Sequence, residues 1–180
     1  MGLRSPGHRF MPNRLVFPGG RVDPADHAAP IETPLDPSTK AALGLGACPA
    51  TALAIAALRE TEEEVGLTLR QPGGYRLAPL AFLCRVETPP DQPIRFDARF
   101  LALSWEPWMG VPAASVELLE PRFVPLAEAG SQSVPRPTRA ALACLGEWLE
   151  GEPVTPWLVI TWPGQVGRPG ERTRPEPRAL

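Results

Sequence analysis

The stretch "RETEEEVGL", Arg59 to Leu67, sets carboxylates at positions 60, 63 and 64, a spacing that shares one helix face. Residues three and four apart on a helix are neighbours, so Glu60, Glu63 and Glu64 repel one another by a few tenths of a kcal/mol per pair. The negative end of the helix dipole disfavours each carboxylate there by roughly 0.3–1 kcal/mol more. A divalent cation relieves both effects. Mg²⁺ and Mn²⁺ prefer hard oxygen ligands, so Glu60, Glu63 and Glu64 read as a metal face and Glu62, turned away, as ordinary surface. A solvated acidic face is the competing reading of any such run. Arg59 beside the cluster and the upstream turn "FPGG", Phe17 to Gly20, favour the metal, because a glycine turn lets the backbone approach a ligand closely.

The elements that must carry these groups follow from pattern. Residues from about Ala50 to Val65 contain no proline or glycine and are followed at once by Gly66, which predicts a helix with a left-handed stop. Ala54, Leu58 and Val65 fall on the side away from the three carboxylates and anchor that helix to a core. "RLVF" (14–17) reads as a strand entering the Pro18-Gly19-Gly20 turn. From Arg21 to about Pro49 no periodicity is sustained, so the expectation is a long loop with one helical turn near Lys40–Leu45. "YRLAPLAFLCRVE" (75–87) and "IRFDARFLAL" (94–103) predict a hairpin. "RFVPLA" (122–127) predicts a strand, and Thr138 the cap of a helix through about Glu150. "PWLVITW" (156–162) reads as a further strand or an arm, and the polar, Pro/Gly-rich 164–180 as a disordered tail.

Bulk properties narrow the classes. A length of 180 residues with 43% hydrophobic content suits one α/β domain with a single core, here 1–163. The net charge of −2 gives no basis for general nucleic-acid binding. No apolar run reaches the length of a membrane span. Cys48, Cys84 and Cys144 have no C-x-x-C spacing, which argues for reduced, packed thiols and a cytoplasmic protein rather than a zinc site or a disulfide framework.

These residues resemble the Nudix hydrolase family, whose signature is G-x(5)-E-x(7)-R-E-U-x-E-E-x-G-U with U aliphatic. "RETEEEVGL" is similar to its second half, with Thr61 for the first aliphatic; "GGRVDPAD" is similar to its first, with Gly20 and, five residues on, Asp26 for the usual Glu. About 25 residues more than the pattern's seven separate Asp26 from Arg59, which reads as a loop inserted over 27–49. The coenzyme A diphosphatase branch has a similar insertion, and "RFDARF" (95–100) resembles its strand. That branch also carries L-L-T-x-R-[SA]-x(3)-R-x(3)-G-x(3)-F-P-G-G. The chain matches it at Arg4, Ser5, Arg9 and Phe17 to Gly20, with Asn13 for the glycine and the strand before Arg4 expected to be missing.

The resemblance implies an α/β/α sandwich around a mixed β-sheet and a Mg²⁺- or Mn²⁺-dependent diphosphatase. By match to the signature, Glu60 and Glu64 are implied as principal ligands, Glu63 as a further ligand or the group that orients water, and Gly19 or Gly20 as a carbonyl ligand. Arg59 is implied to hold one of the carboxylates in place. Glu117 and Glu120 are the candidates for a later-loop acid. Arg4, Ser5, Arg9 and Arg95 are the candidates for substrate binding, with Arg99 beside them, since guanidinium matches phosphate. His8 and His27 are too isolated to suggest a metal pair or a relay. The implied substrate is a nucleoside diphosphate derivative, coenzyme A or acyl-coenzyme A first; ADP-ribose, a dinucleotide or a capped end, and a binding module without catalysis, stand as alternatives. A homodimer is a further expectation.

Overall fold

The computed structural model describes residues 1–8, 11–44, 49–88, 94–132 and 134–151, together with the backbone of 157–160. In chain order the strands are β1 (Gly2–Arg4), β2 (Leu15–Val16) and β3 (Ile31–Thr33), then helices α1 (Pro37–Leu43) and α2 (Ala50–Val65). There follow β4 (Arg70–Gln71), β5 (Gly74–Arg76), β6 (Ala81–Glu87), β7 (Asp97–Ala102) and β8 (Leu118–Leu119). Helices α3 (Leu126–Ser131) and α4 (Arg136–Leu149) and the strand β9 (Trp157–Ile160) complete the order. Short 3-10 turns occupy Pro24–His27 and Pro107–Met109.

The strands form three three-stranded sheets, ordered β2-β1-β8, β3-β5-β4 and β7-β6-β9. Two of them are mixed, since β3 runs parallel to β5 and β9 parallel to β6. The β6–β7 hairpin is the middle of a sandwich. Phe82, Leu101 and Leu103 pack with Ile55 and Leu58 of α2, whereas Cys84, Val86, Phe100 and Ala102 pack with Ala141 and Cys144 of α4. Alternation along a strand sends neighbours to opposite faces, and an irregularity between Phe82 and Cys84 resets the phase so that both faces stay apolar. The cysteines Cys84 and Cys144 are unpaired thiols buried on the α4 side; Cys48 lies outside the described residues. Among the described residues no helix is long and apolar enough to cross a membrane.

Helix α2 spans the predicted residues and ends as predicted, with Gly66 at φ 72° donating its N–H to the Glu62 carbonyl at 3.0 Å. Thr61, the departure from an aliphatic, donates its hydroxyl to the Ala57 carbonyl at 2.7 Å, which satisfies it within the helix.

Four expectations are corrected. The segment expected as a long loop with one helical turn near Lys40–Leu45 holds more than that turn: a strand, β3, and a helix, α1, that starts earlier, at Pro37. Asp36 starts α1 by accepting the Ser38 N–H at 2.8 Å, Pro37 fills the first helical position, and Thr39 donates its hydroxyl to Leu80 O at 3.1 Å. A strand does precede Ser5, because Gly2–Arg4 pairs with β2 on one side and β8 on the other. No strand forms at 122–127; the chain there leads into α3 at Leu126. Helix α4 begins at Arg136, ahead of Thr138, which is buried inside its first turn. The expected tail at 164–180 lies outside the described residues.

The segment between Asp26 and α2 contributes to the core. Leu43 is 0% exposed and Leu35 is buried, both in the cluster that holds Ile55, Leu58 and Leu77. Leu43→Ala is expected to lower stability by about 2–5 kcal/mol, the cost of a buried leucine and the cavity it leaves. Urea denaturation measures it, and a loss near zero would mean that α1 is an appendage.

Candidate active site

Three segments meet at the C-terminal half of α2. The first is the Phe17–Gly20 turn, whose Gly19 N–H donates to Glu64 Oε2 at 2.9 Å. Glu64 is therefore only 7% exposed, while Glu63, one residue earlier, is 59% exposed at its side chain. The predicted acidic face is thus half buried. Gly20 lies in close approach to Glu60: a Cβ there would land on the Glu60 carboxylate and displace it from its present position.

The second segment is the 3-10 turn at Pro24–His27. Arg59 donates from Nε to Asp26 Oδ1 at 3.0 Å and from Nη2 to Asp26 Oδ2 at 3.2 Å, a two-point pair. Asp26 is 2% exposed and also accepts the Asp23 N–H at 2.7 Å. The remaining guanidinium contacts go to Glu60 Oε1 at 2.9 Å, Glu63 Oε2 at 3.0 Å and the Arg21 carbonyl at 2.9 Å. The sequence expectation was that Arg59 holds one carboxylate; it holds Glu60 and Glu63 and is itself held by Asp26. Burial alone would raise the Asp26 pKa, but the Arg59 and Asp23 hydrogen bonds and the Arg59 charge outweigh it, and the net is a carboxyl below its ordinary range. The same contacts, led by Asp26, raise the Arg59 pKa.

The third segment is the approach to β8. Glu117, not Glu120, is among the charges that push Glu60 and Glu64 upward. Glu120 sits beyond β8 in a left-handed bend at φ 48°. Burial is the largest cause of the Glu64 shift; its Gly19 hydrogen bond opposes it, Glu60 and Glu117 add to it, the Arg4 charge opposes it, and the pKa is pushed up to about 7. Glu60 is raised as well, by burial first, against the hydrogen bond and charge of Arg59, with Glu63 and Glu117 adding repulsion. The crowding that the spacing implied within one helix is therefore increased by a carboxylate arriving from another element.

The substrate-side candidates separate. Arg4, at the end of β1, brings its charge to Glu64. Ser5 donates its N–H to the Glu117 carbonyl at 2.9 Å. Arg9 lies outside the described residues. Arg95 is exposed at the hairpin, its Nε 3.4 Å from the Thr88 carbonyl, and Arg99 pairs with Asp97 at 2.9 Å. His27 stays within the 3-10 turn, next to Asp26 in the chain. His8 Nε2 stands 4.0 Å from Glu117 Oε2.

Among the described residues no three His, Cys, Asp or Glu side chains surround one point as a ready metal cage. The donor set nevertheless fits a hard divalent cation in kind, because Glu60 and Glu64 are oxygen donors whose charge burial and neighbouring carboxylates disfavour, and Gly20 leaves the backbone bare against Glu60.

Neither a family model nor a curated protein matches the chain. Among solved structures it is similar to a NUDIX hydrolase from Alicyclobacillus acidocaldarius, at 26% identity and a TM-score of 0.62, over 79% of this chain and 80% of that one. The α/β fold is thus that of a Nudix hydrolase, and the likeness supports the family that the sequence resembles.

Proposed function

We propose, with the Nudix fold as premise, that the chain is a metal-dependent hydrolase of nucleoside diphosphate derivatives whose substrate is coenzyme A or acyl-coenzyme A. One observation carries the chemistry: Glu60 and Glu64 are held side by side on α2 at a partly buried site, their charge disfavoured by burial and by neighbouring carboxylates, and Arg59 bonds Glu60 and Glu63 but not Glu64. A binding module that never met a cation would have no use for that repulsion. Glu60 and Glu64, with Glu63 and the Gly19 or Gly20 carbonyl, are the residues that would hold Mg²⁺ or Mn²⁺. Such an ion supplies neutralisation of the diphosphate charge and a more acidic attacking water.

The chain's own residues do the rest. Arg59, fastened to Asp26, holds Glu60 and Glu63 in place so that they need not reorganise during reaction. Glu117 is the later-loop acid that accepts the proton of the attacking water. Arg4 meets a phosphate beside Glu64. Arg4, Ser5, Arg9 and Phe17 to Gly20 support coenzyme A over other diphosphates.

The test is a panel of coenzyme A, acetyl-coenzyme A, ADP-ribose, NADH and a capped dinucleotide incubated with Mn²⁺, with products separated by chromatography. Cleavage of coenzyme A to an adenosine bisphosphate and a phosphopantetheine fragment is expected. Binding without turnover of any compound would sink the enzymatic reading. Arg4→Ala is expected to raise KM for coenzyme A about tenfold through loss of a charge-assisted contact; an unchanged KM would remove the coenzyme A assignment.

A further inference from the structure

We infer that Phe100 is a positioning residue: its ring fixes Phe17, and through Phe17 it aims the Gly19 N–H at Glu64. The turn that carries Gly19 has little else to define it. Among the described residues no backbone–backbone hydrogen bond involves Pro18, Gly19 or Gly20. Gly19 stands at φ 151°, in the region that glycine alone enters freely. Two adjacent glycines give such a segment many alternative paths, yet Gly19 delivers its N–H to Glu64 Oε2 at 2.9 Å. The path is therefore set at the ends of the turn. The far end is the Arg21 carbonyl, which accepts from Arg59 Nη2 at 2.9 Å. The near end is Phe17, whose ring meets the Phe100 ring edge-to-face, with centroids 6.2 Å apart and planes at 68°. Phe17 packs against two core clusters at once: that of Leu15, Val134 and Leu142, and that of Cys84 and Ala141, against which Phe100 packs as well. Its ring thus ties the turn to the β6–β7 hairpin in addition to the surroundings of β2. Phe100 is a firm support, since it pairs with Cys84 across the hairpin, and Arg85 braces the same two strands by donating to both oxygens of Asp97 at 2.7 and 2.9 Å.

The effect on turnover rests on the diphosphatase reading and the effect on the Gly19 hydrogen bond does not, so the two are measured separately. The first readout is solvent exchange of the Gly19 amide proton by NMR in the substrate-free protein. Phe100→Leu is expected to speed that exchange about tenfold, the upper end of what an aromatic pair contributes. Phe17→Leu removes the same contact from the turn's side, which keeps the test standing if Phe100→Leu does not fold. Phe100→Tyr, which keeps the ring, is expected to stay near wild type. With the acceptor removed by Glu64→Ala, Phe100→Leu should add nothing further. The second readout is steady-state hydrolysis with Mn²⁺, where Phe100→Leu is expected to lower kcat about tenfold at nearly constant KM, the low end for losing a group that orients a metal-site side chain. Leu43→Ala, a core truncation in a cluster that Phe17 does not join, should lose stability and leave both readouts unchanged. Wild-type exchange at Gly19 in Phe100→Leu and Phe17→Leu, or an equal change in Leu43→Ala, would overturn the inference and make Phe100 an ordinary packing residue. Absent wild-type turnover overturns the diphosphatase reading instead, and the Gly19 amide still decides the role of Phe100.

Discussion

Glu64→Gln is expected to reduce diphosphate hydrolysis by a thousandfold or more, on the order of what a preorganised electrostatic group contributes, while the fold is kept. Glu64 is the most enclosed of the three glutamates, fixed by the Gly19 N–H at 2.9 Å and facing Glu60 and Glu117. A glutamine has the same shape, and its amide oxygen still accepts from Gly19. What disappears is the charge that a cation would use. Because that charge is crowded by Glu60 and Glu117, its removal is expected to leave the melting temperature unchanged or raised, the usual relation between a strained site and stability. Turnover by chromatography and thermal unfolding check the two halves. Retained turnover would take Glu64 out of the site, and a large fall in melting temperature would make it a structural residue.

The second large effect is on stability. Asp26→Asn is expected to cost about 3 kcal/mol near neutral pH, the low end for breaking a buried ion pair, since Arg59 keeps Glu60 and Glu63 as partners. For a chain of this size that corresponds to a fall of roughly 6–12 °C in melting temperature. The pH dependence has a definite sign. The Asp26 pKa is lowered in the folded state, so its contribution is fully present above the unfolded value, about 3.9, and is lost as pH falls through the folded value. The gap between wild type and Asp26→Asn should therefore be constant from neutral pH to about 5 and should narrow progressively below about 4. A gap that persists undiminished in strong acid would show that geometry, rather than the charge of Asp26, holds Arg59. Hydrolysis should fall along with stability, because Arg59 freed from Asp26 no longer fixes Glu60.

The Asp26–Arg59 pair also ties together the two ends of the long segment between them. The two residues are 33 apart in sequence yet make a two-point contact. Between them the chain runs out through β3, which adds in parallel to β5, and returns through α1, which buries Leu43 against α2. The intervening segment leaves and returns without separating Asp26 from Arg59.

Helix α2 was legible because its causes are local. A run without proline or glycine and a glycine stop set its limits, and apolar spacing assigned Ala54, Leu58 and Val65 to the core. The β6–β7 hairpin and α4 were legible for the same reason, by alternation and by a 3.6-residue period. A signal for α1 was present too, in Asp36-Pro37, an N-cap followed by proline at the first helical position, but it lay in a segment without apolar periodicity. Strand β3 had no such signal. Its two exposed residues and one half-buried residue become a strand only because β5, more than forty residues later, offers a parallel partner.

The same division runs through the site. By itself the sequence determined the acidic cluster and its arginine, because residue type and helical spacing are local properties. Tertiary structure alone decided that Glu64 is enclosed and Glu63 exposed, since the Gly19 turn covers one side of α2 only. It also decided that Arg59 is fastened to Asp26 and that the turn after β1 bonds the backbone of Glu117 through Ser5. Each of these depends on strand pairing or chain reversal between distant segments, and the free energy that selects such contacts is not encoded in any single stretch of residues.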